Sequence, residues 1–229
     1  MCTRFSYTIP RERLKRQFNI QIREQELQYS YNIGAGDGAY VVTNQSLELQ
    51  VFRFGFIPDW AQSESVGLNF VNAAAETVAT QDTFRMAVRL RRCLVFADGF
   101  YEWRRQGLHT QPYRIGYQGG GTMVFAGVWS EWMSANLEVF RTFAILTCAA
   151  NADVAPFSPR MPVILHDSAQ IVRWLSEANL QTSLALLRPL KDGLLHSYPI
   201  DPRLDDADYN QPELHNPYQF SDDERERWG

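Results

Sequence analysis

An α+β domain with a mainly antiparallel, barrel-like sheet and peripheral helices is what this 229-residue sequence predicts. Three observations lead there. Runs rich in β-branched and aromatic residues crowd the middle of the chain at residues 47–55, 93–97, 112–117, 123–129 and 142–147, mostly joined by short loops. Helical periodicity is confined to residues 11–18, 82–92 and 167–175, so helices decorate a strand-rich centre. No internal repeat or Pro/Gly/Ser-rich linker divides the chain, and a 45% hydrophobic content supports one core, so residues 1–229 are read as a single domain.

Each element has a local cause. Pro10 is tolerated at a helix start and precedes RERLKRQF, where Leu14 and Phe18 stand four apart and Arg11, Arg13, Lys15 and Arg16 make the other face basic. LELQVFRFG at 47–55 reads as a strand, and DTFRMAVRLRR at 82–92 as a helix. CLVFA, PYRIGY, MVFAGVW and TFAILT supply the remaining strands, while GAGDG at 34–38 and GGG at 119–121 are short enough for loops within one domain. DSAQIVRWL at 167–175 opens with Asp167 or Ser168 as the N-cap of a helix. The chain from Asp201 onward carries 9 acids against 3 bases and reads as a solvated acidic C-terminal extension, residues 201–229.

Composition excludes several classes. The net charge of −4 is wrong for a sequence-blind nucleic-acid binder coated in Lys and Arg, although residues 1–114 carry 14 bases and 11 acids (+3) and the rest 8 and 15 (−7). Cys2, Cys93 and Cys148 are odd in number and lack metal-like spacing, which suits a reducing compartment. No apolar run approaches the roughly 18 residues of a membrane span and no leader pattern is visible, so a cytoplasmic location without membrane, metal or cofactor is expected.

Four stretches carry candidate chemistry. Cys2 follows the initiator methionine; removal of Met1 would place a free amine and a thiol on one residue, a 1,2-aminothiol that condenses with an aldehyde to a thiazolidine. An α-amine titrates at about 7.7–8.0 against about 10.4 for lysine, so its nucleophilic fraction at neutral pH is roughly two orders of magnitude larger. The alternative is that Cys2 is simply a small buried residue. In VNAAAET, Asn72 and Glu76 bracket three alanines, and Glu76 also suits a helix N-terminal turn. In ADGFYEWRR, Glu102 lies between Tyr101 and Trp103, where desolvation would raise its pKa toward proton-transfer use, unless it is a strand-end acid facing solvent. Arg160 in FSPRMPVIL stands between prolines, either as a fixed anion holder or as a structural ion pair. His109, His166, His196 and His215 read as surface or capping residues.

Taken in order, MCTRF, YNIGAG, FGFIPDW, VNAAAET, RRCLVFADGFYEW, QPYRI, FAGVW, FAILTCAAN and PRMPVIL resemble the SOS response-associated peptidase (SRAP), or abasic-site processing, family from Met1 to about residue 200. The resemblance implies a β-rich α+β domain that binds single-stranded DNA and covalently traps the aldehyde of abasic sites in the DNA-damage (SOS) response. It implies Cys2 as the linking residue after self-processing of Met1, Asn72 as the residue positioning the adduct, and Glu102 as the catalytic glutamate. Arg4 and Arg160 match positions that hold the DNA backbone, and Trp60 an aromatic near the bound strand. Single-stranded DNA containing abasic sites is the expected partner of a monomer.

The match has departures. The family's H-x-R-M-P reads Ser158-Pro159-Arg160-Met161-Pro162, so a hydroxyl replaces the imidazole implied to assist ring opening and adduct reversal. N-A-R-x-E reads Asn72-Ala73-Ala74-Ala75-Glu76, removing a phosphate-contacting arginine. Thr3 replaces glycine beside Cys2, where it is expected to crowd the site, and Ala35 replaces a proline. The leading expectation is a crosslinking, lyase-type enzyme; the alternative is an impaired scaffold binding DNA or protein noncovalently. A general peptidase ranks last, because Cys2 has no histidine partner in sequence.

Overall fold

A computed structural model describes residues 2–18, 20–22 and 28–228 of the chain. Twelve strands carry the described part: β1 Phe5–Tyr7, β2 Ser30–Ile33, β3 Gly38–Thr43, β4 Ser46–Phe54, β5 Asn72–Ala74, β6 Arg92–Ala97, β7 Gly99–Gln106, β8 His109–Tyr117, β9 Met123–Met133, β10 Val139–Ala149, β11 Arg160–Pro162 and β12 Leu195–Pro199. Helices are short: α1 Arg11–Gln17, α2 Ala87–Leu90, α3 Ser168–Ser176, α4 Leu180–Leu184 and α5 Asp222–Trp228. None of the described helices is long and apolar enough to cross a membrane.

Two sheets are built from these strands. In the first, β3, β4, β10, β9 and β6 close into a five-stranded barrel, antiparallel throughout except where β4 runs parallel to β10. Gly127 in β9 permits the close approach, since a Cβ there would meet Cys93 Sγ at 2.8 Å. The second sheet runs β12-β8-β7-β1-β2 and is antiparallel at every pairing. The mainly antiparallel, barrel-like α+β architecture expected from the sequence is therefore present.

Phenylalanines clamp the sheets together. Phe5 of β1 meets Phe54 of β4 and Phe125 of β9 edge-on, with ring centroids 5.4 and 6.1 Å away, and Phe100 of β7 meets Phe125 at 6.1 Å. All four are fully buried, each contributing about 2–3 kcal/mol from burial alone. The clamp seats the N-terminal strand deep in the fold, and with it the residues that precede it.

All five expected strands form, four of them longer than expected and the one over 47–55 shifted by a single residue, and α3 starts from Asp167, whose side chain accepts from the Gln170 amide at 2.7 Å. The helix expected over 82–92 shrinks to Ala87–Leu90. Residues before it form successive hydrogen-bonded turns that deliver Phe84 against Phe56 and Phe70, and Arg92 joins the barrel as the first residue of β6. Packing of Phe84 overrides helical continuity there.

The segment after Asp201 differs from a solvated extension. Its aspartates at 205, 206, 208, 222 and 223 are exposed, but Leu204 and Leu214 are fully buried against Tyr101 and Ile200 on the outer face of the second sheet. Trp103 Nε1 donates to Asp205 Oδ1 at 3.0 Å and Arg104 to the Trp228 carbonyl at 3.3 Å. Acid counting reported the exposed side chains and overlooked two apolar anchors, which turn the segment into a strap.

Candidate functional site

The site forms where four distant stretches meet. The carbonyl of Arg4 accepts from the Tyr101 amide at 3.0 Å, and Phe5 pairs with Phe100, so continuing that register brings Glu102 level with Thr3. Strand alternation decides the face of Glu102: it lies on the side of buried Phe100, while Tyr101 and Trp103 face the strap. Only 4% of Glu102 is exposed, and burial holds its carboxyl above the usual range, eased in part by the nearby Ser158 hydroxyl.

Cys2 is fully buried beside it. Burial pushes the thiol up, and the nearby Glu102 charge pushes it further, so this sulfur is a protonated thiol that needs a base to react. Asn72, on a strand running parallel to β10, donates from Nδ2 to the Cys2 carbonyl at 3.0 Å. Its Oδ1 is buried without a hydrogen-bond partner among the described residues, an acceptor available inside the site. Removal of Met1, which aminothiol chemistry requires, concerns a residue outside those described.

Ser158 ends a tight turn whose amide donates to the Val154 carbonyl, and its Oγ also accepts from the Arg160 amide at 3.3 Å. The hydroxyl thus takes a backbone donor at the edge of the site, close enough to Glu102 to ease the burial of its carboxyl. The structure brings Cys2, Asn72, Glu102 and Ser158 together. Thr3, beside Cys2, is exposed.

The cationic and aromatic candidates lie outward. Arg4 donates to Asn32 Oδ1 at 2.7 Å and is partly exposed. Arg160 is held by Thr147 and, through both terminal nitrogens, by Glu76 at 2.8 and 3.3 Å. The structural ion pair is thus formed, and the Arg160 guanidinium holds the Glu76 carboxyl below its usual range. A phosphate reaching Arg160 competes with Glu76. Trp60, 59% exposed, stands on a separate shelf edge-on to Phe70, two residues before Asn72. No group of three or more His, Cys, Asp or Glu able to hold a metal occurs among the described residues.

Sequence reasoning quoted Asn32 and Thr147 within motifs but assigned them no task. Their shared signal is a polar residue beside an otherwise apolar strand. His215 also departs from a surface residue: its ring packs on Tyr31 at 4.8 Å, and burial, followed by the Arg114 charge, pushes its pKa down to about 4.

Comparison with known proteins bears on this arrangement. A family model described as SOS response associated peptidase (SRAP) matches residues 1–207, most of the chain. The chain belongs to the SRAP family. It is 31% identical over 221 residues to the abasic site processing protein YoqW of Bacillus subtilis (strain 168), covering 93% of this chain and 98% of that protein. The abasic site processing protein HMCES of Mus musculus is 27% identical over 193 residues, spanning 70% of this chain and 54% of HMCES. A solved structure of a protein from Bacteroides thetaiotaomicron superposes with a TM-score of 0.86 at 25% identity, covering 95% of this chain and 100% of that one. The SRAP chain described here combines that fold with serine at 158 and alanine at 74.

Proposed function

We propose that this SRAP protein processes abasic sites in single-stranded DNA, its Cys2 forming a thiazolidine with the ring-opened sugar once Met1 has been removed. The observation that carries the proposal is the convergence of Cys2, Asn72 and Glu102, residues 70 and 100 positions apart, in one buried place. Relatives named abasic site processing proteins support the substrate class.

The chemistry balances without metal or redox partner. Hydrolysis of the Met1–Cys2 bond exposes the Cys2 amine, which adds to the sugar aldehyde; water leaves and an imine remains. The thiol then adds across that C=N bond, sulfur to carbon and hydrogen to nitrogen. Glu102, with its carboxyl raised by burial, supplies the proton that the sugar ring oxygen needs on opening and accepts one from the thiol. Asn72 holds the Cys2 main chain while its free Oδ1 accepts from the new amine. Arg4 and the partly engaged Arg160 hold phosphates, and bases stack on exposed Trp60.

The test is direct. Protein whose intact mass shows Met1 removed is incubated with a single-stranded oligonucleotide bearing one abasic site, then denatured. A shifted species is expected, absent with Cys2→Ala; no adduct from the processed wild-type protein would overturn the proposal.

A further inference from the structure

Behind Arg4 lies a buried amide with an unusual set of partners. Asn32, only 3% exposed on β2, accepts from Arg4 Nη1 at 2.7 Å through Oδ1. Its Nδ2 donates to three carbonyls of the strap, those of Leu204 at 3.2 Å, Asp206 at 3.1 Å and Tyr209 at 3.0 Å. Two amide hydrogens shared among three acceptors mean that at least one bond is bifurcated. The arrangement also excludes the flipped amide, because a side-chain oxygen cannot face three carbonyl oxygens.

Two consequences follow for the arginine. Its direction is set by an amide that the strap has already oriented, so Arg4 loses rotamer freedom before any ligand arrives. Its charge is not spent, because the acceptor is neutral; an aspartate at position 32 would neutralise the guanidinium instead. Gly34 packs beside the guanidinium, where a Cβ would stand 3.5 Å from Nη1 in ordinary contact, so the arginine's seat does not depend on glycine there. The strap is pinned independently to β2 by Asn210, whose Oδ1 accepts from the Tyr31 amide at 2.6 Å.

We infer that Asn32 is a positioning residue: with the strap carbonyls at 204, 206 and 209 it aims the Arg4 guanidinium at a phosphate of the bound strand. The C-terminal strap thereby serves DNA binding without touching DNA. The inference rests on the reading that Arg4 contacts the backbone.

A double-mutant cycle tests it in the full chain, using an unmodified single-stranded oligonucleotide and a salt titration. Arg4→Ala should weaken binding roughly tenfold and lower the slope of log affinity against log salt by about one. Asn32→Ala should weaken it about three- to tenfold alone, yet less than about twofold on top of Arg4→Ala. Asn210→Ala, which loosens the strap from β2 without touching Asn32 or Arg4, is the variant to use should Asn32→Ala not fold, and should weaken binding about twofold or more only while Arg4 is present. Equal losses from Asn32→Ala, or from Asn210→Ala, in both backgrounds overturn the inference while leaving the Arg4 reading intact. Unchanged binding by Arg4→Ala overturns both, and adduct formation with an abasic oligonucleotide, read in parallel, reports separately on the covalent chemistry.

Discussion

At the scale of single residues, burial of Glu102 links its proposed part in catalysis to a cost in stability. Its carboxyl is raised, so the folded protein holds that proton more tightly than the unfolded chain does. Stability is therefore lost as pH climbs from the ordinary glutamate value, about 4.3, through the raised one. Glu102→Gln removes a buried charge at neutral pH while keeping the shape. It should melt higher than wild type at pH 7, with the gap closing below about pH 4, and should slow adduct formation by roughly 10²–10⁴-fold. A variant that melts lower at pH 7 would contradict the stability cost, and one that crosslinks normally would contradict the proton-transfer role. Ser158 makes the complementary case. Its hydroxyl accepts from the Arg160 amide close to Glu102 but cannot carry a proton near neutrality as imidazole does. Adducts should therefore be long-lived, and Ser158→His should speed their release about tenfold or more, followed by transfer of label to a competitor strand. Because Ser158 is buried, this substitution also overpacks the turn, at about 1–3 kcal/mol.

At the scale of elements, the strap shows how a polar segment becomes structural. Two leucines ten positions apart enter the face formed by Tyr101 and Ile200, and the acids between them stay in water. His215, next to Leu214, packs against Tyr31 and lies near the pair of Arg114 with Asp98, whose Oδ1 is 3.5 Å from the guanidinium; the Tyr198 hydroxyl donates to the His215 carbonyl. Its pKa of about 4 means the unfolded chain takes up a proton that the folded one refuses. The neutral ring is favoured above the ordinary histidine value of about 6.5, and its stability contribution is lost as pH falls from there toward 4. After allowance for partial solvent screening, the loss should be on the order of 1–2 kcal/mol. Urea unfolding across that range should show it, and His215→Phe should flatten the slope; an unchanged slope would remove His215 from the account. Other elements show the same tension. Residues 82–86 carry a helical pattern yet form turns, because Phe84 has to reach Phe56 and Phe70. β7 escaped notice as a strand because Glu102, Arg104 and Arg105 interrupt its apolar character, although backbone pairing to both β1 and β8 makes it central.

At the scale of the whole molecule, the site exists because two sheets converge on the N-terminus. The phenylalanine clamp draws β1 between β2 and β7, the parallel β5 strand hangs Asn72 from β10, and the turn before β11 adds Ser158. Residues 2, 72, 102 and 158 share no local periodicity, so propensity alone could not join them; motif order could, since each sits in a recognisable stretch. The barrel strands β6, β9 and β10 were legible because their buried stretches are continuously apolar, and β4 through its alternation, whereas β3 was not singled out. The three-residue strands β1, β5 and β11 were not, because they are too short to carry a period and their pairing energy comes from neighbours remote in sequence. By itself the sequence determined the strand-rich core, the family and the reactive residue types, since these follow from side-chain chemistry and local pattern. Only the tertiary structure decided the face of Glu102, the engagement of Arg160 by Glu76, the anchoring of the acidic strap and the hold of Asn32 on Arg4. Each of those depends on which groups are excluded from water together, and burial is a property of the packed chain rather than of any segment within it.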